Sequence, residues 1–295
     1  MTQRFAPRSG LIPKNGRCCP KPQFSFVVSL KSKRKPFKER KKSKDNVMMT
    51  ETQQLRSTDD LSTHPVVSPE QWLEQRKALL KKEKEFTRQK DQLFAECRAL
   101  PWVKVDKNYI FDTTNGKQTL ADLFGDKSQL IVVHFMLGPE WEQGCLGCSF
   151  GADHYDGIVV HLEHHDVSFV AVSRAPLPKL ETFKKRMGWR FKWVSSYQSD
   201  FNYDYHVSFT DEDIAKKEVY YNYEVRPIDI DELAGTSMFY RDSAGNIFHT
   251  YSTFARGSEL VGGAYGYLDH LPKGRNETGP GHNLGDWVRH HDRYE

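Results

Sequence analysis

Two cysteines three residues apart, Cys145 and Cys148 in the run Cys145-Leu146-Gly147-Cys148, carry the clearest chemical signal in this 295-residue chain. If a helix starts at Cys145, both sulfurs fall within disulfide reach across its first turn. The first sulfur then sits beside unpaired backbone N–H groups and the positive end of the helix dipole. Both favour the thiolate, the attacking species in disulfide exchange, and the second thiol is placed to resolve a mixed disulfide. Trp141 and Gly144, just upstream, suggest a flat, open approach for a disulfide of another molecule. The rival reading is half of a zinc site, with His154, or with His161 and His165 at i, i+4 spacing, as further ligands. On one straight helix those last two lie roughly 20 Å from Cys148 at 1.5 Å per residue, so no metal is assigned. A structural, unreactive cysteine pair is the other alternative.

Four further features bear on this centre. Arg174 follows a strand end, where it either lowers the Cys145 pKa, anchors an acidic substrate or makes a surface ion pair. His134 falls inside an apolar strand and reads as a hydrogen-bonded core histidine before an acid–base group. Tyr203, Tyr205, Tyr220, Tyr221 and Tyr223 either stack on a ligand or, the preferred reading at this density, pack an insertion against the core. Cys97 reads as a small buried hydrophobe.

The elements that must position the dithiol follow from periodicity. Leu130 to Leu137 is a continuous apolar run of the kind buried on both faces of a sheet. Cys148 to His165 is helical in spacing, Val167 to Ser173 is a second buried strand, and Pro178 to Met187 is an amphipathic helix closed by Gly188. Phe191 to Val194 is a short strand, and Ser237 to Arg241 with Ile247 to Phe254 makes a hairpin. Val103 to Phe111 reads as a hairpin arm turning at Asn115-Gly116. Strand–helix–strand order with a closing hairpin implies an α/β fold, a central mixed sheet flanked by helices. The acidic, tyrosine-rich stretch 207–235 interrupts that order as an insertion.

Ahead of this domain, assigned to 101–295, residues 61–100 contain a long amphipathic helix. Ser68 is its N-cap, Pro69 its first residue, and Gln71 completes a capping box. Trp72/Leu73, Leu79/Leu80, Phe86 and Leu93/Phe94 recur every seven residues along a surface otherwise crowded with Lys, Glu and Arg. That stripe packs across its own domain or against a second copy, so a homodimer is one expected partner.

Residues 1–60 read as a disordered basic tail. Fourteen of the 43 Lys/Arg but only two of the 39 acids fall in residues 1–47, a local balance of +12 that leaves −8 on the remainder. The folded part is thus acidic, which argues against a nucleic-acid partner for it. The tail is a solvated extension, an untranslated one given Met48 and Met49, a nuclear signal or RNA-binding arm, or part of an organelle transit peptide. No run approaches the ~20 apolar residues of a membrane helix. Five unevenly spaced cysteines and no evident signal peptide favour a reducing, cytoplasmic setting.

The run Gly138-Pro139-Glu140-Trp141-Glu142-Gln143-Gly144-Cys145, continued by Cys148-Ser149-Phe150, resembles the hallmark of the thioredoxin-like family catalogued as domain of unknown function 899. Arg174-Ala175-Pro176, Arg186-Met187-Gly188-Trp189, Ser199-Asp200-Phe201-Asn202 and Arg289-His290-His291-Asp292 extend the resemblance from about residue 64 to the C-terminus. It implies a thioredoxin-like fold and a dithiol–disulfide oxidoreductase-like label. The order of elements is more distantly similar to peroxiredoxins. Their Pro, Thr and Cys arrangement is missing, because Glu142 stands three before Cys145 and Cys145 itself three before Cys148; no peroxidase is expected. Thioredoxins place a cis-proline facing the dithiol, before the strand that here starts near Ser237. This chain has Ala234-Gly235-Thr236 there, so either Gly235 and Thr236 meet the substrate backbone or the partner is not an extended peptide. The reading is a thiol–disulfide oxidoreductase acting on a disulfide-containing protein or small thiol, with Cys145 attacking, Cys148 resolving and no bound cofactor. A metal-binding module, or a non-enzymatic interaction protein using the helix at 68–98, is the alternative.

Overall fold

The apolar run after Ser128 becomes the middle of the molecule. In a computed structural model, which describes residues 64–257 and 279–294 together with 263, 270 and 277, it forms strand β4, Gln129–His134. The basic tail, Cys18 and Cys19 lie outside the described residues.

Before β4 come helix α1 (Pro69–Ala99), strands β1 (Val103–Lys104), β2 (Ile110–Thr113) and β3 (Gly116–Thr119), and the single-turn α2 (Leu120–Leu123). After it come α3 (Leu146–Tyr155), α4 (Val159–Glu163), β5 (Val167–Ser173), α5 (Leu177–Met187) and β6 (Lys192–Ser195). Short α6 (Phe201–Asp204) and α7 (Asp211–Lys216), a β7–β8 hairpin (Val219–Tyr221, Glu224–Arg226), and β9 (Gly235–Arg241) and β10 (Ile247–Phe254) follow. Eight strands make one mixed sheet in the order β1-β10-β9-β4-β5-β6-β2-β3. β4 is parallel to β5, β5 is parallel to β6, and β9 pairs antiparallel with β4 and β10. α2 and α6 pack on one face of the sheet and α3 and α5 on the other, and the helix after β4 opens on the dithiol: this is a thioredoxin-like fold.

Alternation along the strands divides the core in two. Leu130, Val132, Val170, Val172 and Val194 point to one face, with Phe111, Phe124, Phe201 and Phe239. Ile131, Val133, Phe169, Ala171 and Trp193 point to the other, where Phe135, Phe183, Met187, Trp189 and Cys148 meet them. The second face supports the site. Gly188 closes α5 at φ 67°, the left-handed conformation glycine adopts without strain.

Several expectations shift. The hairpin near Asn115 is β2–β3, whereas Val103 and Lys104 belong to β1 and pair with the far edge at His249 and Phe248. The helix expected from Cys148 to His165 is two helices, broken around Gly157. His161 therefore lies on α4, while His164 caps it and His165 falls beyond its end. Cys97 is half-buried, and α1, expected to pack, buries no residue. Among the described residues no helix is long and apolar enough to cross a membrane.

Candidate functional site

Chain direction reverses between β4 and α3, and Met136 holds both ends of the turn. The Cys145 N–H donates to the Met136 carbonyl at 3.1 Å, and the Met136 N–H donates to Cys148 Sγ at 3.4 Å. Phe135 N–H continues the sheet to Val172 O at 2.9 Å, and Ala175 N–H reaches Leu137 O at 2.9 Å. Both cysteines thus hang on the backbone of one residue that is itself continuous with the central strand. Cys145 is the N-cap residue of α3, and no side-chain hydroxyl or carboxylate caps that helix. Its sulfur lies among the amides of Gly147 and Cys148. Buried Ser149 returns from one turn later, with its N–H and Oγ both on Cys145 O at 2.9 Å.

This arrangement separates the two thiols, both reduced here. A hydrogen bond from the Cys148 thiol, aided by the Cys148 and Gly147 amides, outweighs burial and lowers the Cys145 pKa to about 6. The same bond, burial and the charge of Cys145, with a smaller push from Glu232, raise Cys148 well above the usual thiol range. Cys145 is the thiolate near neutral pH, and Cys148 keeps its proton.

Gly144 is not an open approach but a packing position. A Cβ there would come within 2.7 Å of the Phe135 ring and 3.0 Å of Phe183. Its carbonyl accepts from His290 Nε2 at 2.9 Å, a buried contact from the C-terminal segment. Arg186 on α5 binds Asp292 through two bonds of 2.9 Å, approaches His290 Nδ1 at 3.2 Å and donates to Gln143 at 3.1 Å. His291 meets Asp153 at 2.6 Å, and Trp189 Nε1 donates to the same carboxylate at 2.7 Å. Leu284 would lie 3.4 Å from a Cβ at Gly147. The final residues therefore strap the start of α3 from outside. Sequence reasoning matches Arg186 and His290 to family motifs without giving them a role, since their partners stand about a hundred residues away.

Trp141 donates from Nε1 to Asp231 at 3.0 Å, and Lys179 braces the carbonyls of Pro139 and Trp141. Asp231 also accepts from Arg174 at 3.1 Å. Arg174 further donates to Glu232 and to the Tyr203 hydroxyl, so its charge goes to these groups and is not among the causes of the Cys145 shift. Glu232 is 1% exposed and takes a 2.7 Å hydrogen bond from Ser208. Burial nevertheless raises its pKa to about 7, against the pull of Arg174. Nothing in the sequence singles out this carboxylate, because one acid in an acidic stretch carries no mark.

Gly235 opens β9 opposite His134, and a Cβ there would strike the Phe254 ring at 2.8 Å. Thr236 pairs with Val133 on one side and Thr253 on the other. His134 is a core histidine: Nε2 meets Ser237 Oγ at 2.9 Å, and its ring stacks on Phe201. Ser237 Oγ continues to Ser252 Oγ at 2.8 Å, which lies 2.7 Å from His249. Burial drops the His134 pKa to about 3, so the ring is neutral. Of the five tyrosines, Tyr205 and Tyr221 pack into cores and Tyr203 binds Arg174, whereas Tyr220 and Tyr223 are exposed. Among the described residues no three His, Cys, Asp or Glu side chains converge as a metal site.

The sequence pattern of a family described as bacterial protein of unknown function (DUF899) matches residues 61–294. The chain belongs to that family. No curated protein matches the DUF899 chain. Solved structures similar to it include the peroxidoxin BcpB from Mycobacterium tuberculosis, at 13% identity and a TM-score of 0.37 over 54% of this chain and 92% of that one. A cysteine-to-serine mutant of PrxQ from Xylella fastidiosa matches at 12% identity and 0.37, covering 56% and 95%. The mitochondrial 2-cys peroxiredoxin from Plasmodium falciparum matches at 13% and 0.35, covering 57% and 91%.

Proposed function

We propose that this DUF899 protein is a thiol–disulfide oxidoreductase in which Cys145 attacks and Cys148 resolves. The observation that carries this reading is the division of labour between the sulfurs: one low-pKa thiol at an otherwise uncapped helix N-terminus, one protonated thiol held beneath it by Met136.

The Cys145 thiolate attacks one sulfur of a substrate disulfide. A mixed disulfide forms, and the other substrate sulfur leaves as a thiolate. Cys148 then gives up its proton and attacks Cys145 Sγ, which closes the Cys145–Cys148 disulfide and frees the second substrate thiolate. The substrate gains two electrons and the protein dithiol loses them; an external thiol reductant returns them for turnover. Glu232 acts as a positioning residue. The Cys145 thiolate holds the Cys148 proton, so attack by the wrong sulfur is disfavoured until a mixed disulfide occupies Cys145; the Glu232 charge adds a smaller push in the same direction. The substrate is a protein disulfide or a small disulfide, and the setting is the reducing cytoplasm.

A redox titration of the full chain in glutathione or dithiothreitol buffers, read by intact mass after alkylation, tests this. A reversible two-electron transition confined to Cys145 and Cys148, between about −120 and −270 mV, is the expected outcome. Thiols that stay unreactive across that span sink the proposal.

A further inference from the structure

Helix α1 is the longest helix among the described residues, and it stands outside the two cores of the sheet. It is 31 residues long, about 46 Å at 1.5 Å per residue. Its start is well made: Ser68 and Gln71 form a reciprocal capping box, and Pro69 opens the first turn. Yet none of its residues is buried. Trp72 (59% exposed), Leu73, Leu79, Leu80, Phe86 (63%), Leu93 and Phe94 face solvent along one line. Together they present roughly 700 Å² of apolar surface, more than the few hundred a soluble monomer normally shows in one patch.

The polar residues within that line are as regular as the apolar ones. Arg76, Glu83, Lys90 and Cys97 recur every seven residues, each between two apolar layers. Within one copy Arg76 already spans two turns to Glu83 at 2.8 Å, and Lys90 lies over the Phe94 ring at 5.8 Å. The apolar layers and the polar ones are arranged so that the stripe fits a reversed copy of itself. With a two-fold axis between Phe86 and Thr87, Leu79-Leu80 meets Leu93-Phe94, each Phe86 meets the partner's Thr87 beside the axis, and Trp72-Leu73 meets Leu100, which is also exposed. In the same register Glu83 of one copy meets Lys90 of the other, and Arg76 meets the neutral Cys97. A parallel, in-register pair would instead set Arg76 on Arg76, Glu83 on Glu83 and Lys90 on Lys90, like charges at the seam.

We infer that α1 docks against α1 of a second copy of this chain in antiparallel register, making the protein a homodimer. The surface removed from water is about 1,400 Å² over both copies, within the range of stable specific interfaces. The two-fold is isologous, so the assembly closes at two. It lies outside the dithiol and stands independently of the redox reading.

The test is sedimentation velocity of the full chain at micromolar concentration. A species of twice the 34.2 kDa chain mass is expected, and Leu80→Lys with Phe86→Asp should convert it to monomer without moving the Cys145–Cys148 redox transition. A wild-type monomer, or a double variant that stays dimeric, overturns the inference. Should that variant fold poorly, the charged layer gives a second reading. Glu83→Lys alone and Lys90→Glu alone should each weaken the dimer at least tenfold, and the two together should restore it. Absence of that rescue, or oxidative cross-linking of Cys97 to Cys97 between copies, excludes the antiparallel register.

Discussion

Helices α1 and α3 begin in opposite ways. α1 starts on a complete set of local signals, with cap, capping box and N-terminal proline all within four residues, yet none of its residues is buried. α3 starts with no side-chain cap at all. It is instead held by distant groups: Met136 from the turn after β4, and His290 from the C-terminal segment, which binds the carbonyl just ahead of it. Local signals decide where a helix begins; long-range ones decide where it sits and leave its N-terminal amides free for a sulfur. The Cys145 pKa is lowered first by the Cys148 thiol and then by the amides that the uncapped helix leaves free.

That contrast breaks most visibly at the sulfurs. Cys145→Ser should reduce disulfide turnover by more than about a hundredfold, while Cys148→Ser should accumulate mixed disulfides visible as mass adducts. Next in size is Gly144→Ala, whose methyl group has no room beside Phe135. We expect a loss of about 1–3 kcal/mol in urea unfolding, typical of overpacking, with slower Cys145 alkylation. The pH profile sharpens the comparison. Alkylation of Cys145 should fall as pH drops through about 6, where its thiolate is protonated. Glu232 carries a folded pKa near 7, above its ordinary value, so the native state binds the extra proton and stability should decline as pH rises from about 4.5 to 7. Glu232→Gln should flatten that decline and bring the Cys148 pKa down, read from thiol absorbance in Cys145→Ser. The smallest effect belongs to α1. Ser68→Ala removes the cap oxygen and should cost about 1 kcal/mol of helix stability, seen in circular dichroism, with the dithiol transition unmoved.

What is legible in the sequence is what depends on neighbours. β5 begins and ends where its apolar run does, α5 ends at its glycine, and α1 starts at its serine. The dithiol is legible for the same reason, since its spacing is its chemistry. Features that depend on distant partners are not. Nothing at Gly144 tells that a phenylalanine nine residues earlier fills the space of its missing side chain. Arg174 reads as a cation, but its partners Asp231 and Glu232 lie 57 and 58 residues away. The break between α3 and α4 escapes a reading by period because apolar spacing continues across Asp156 and Gly157, which carries the helix too far. β1 reads as continuous with β2 because both are extended, although they pair at opposite edges of the sheet.

The Met136 amide donates to Cys148 Sγ, so one backbone proton of the turn after β4 looks directly at the resolving sulfur. A disulfide sulfur is a different acceptor from a thiol sulfur. Closing the Cys145–Cys148 disulfide would therefore write a signal into the peptide bond between Phe135 and Met136, next to the strand at the centre of the sheet. In a nitrogen-15 spectrum that single resonance would serve as a built-in gauge of oxidation state, with no dye and no added thiol probe.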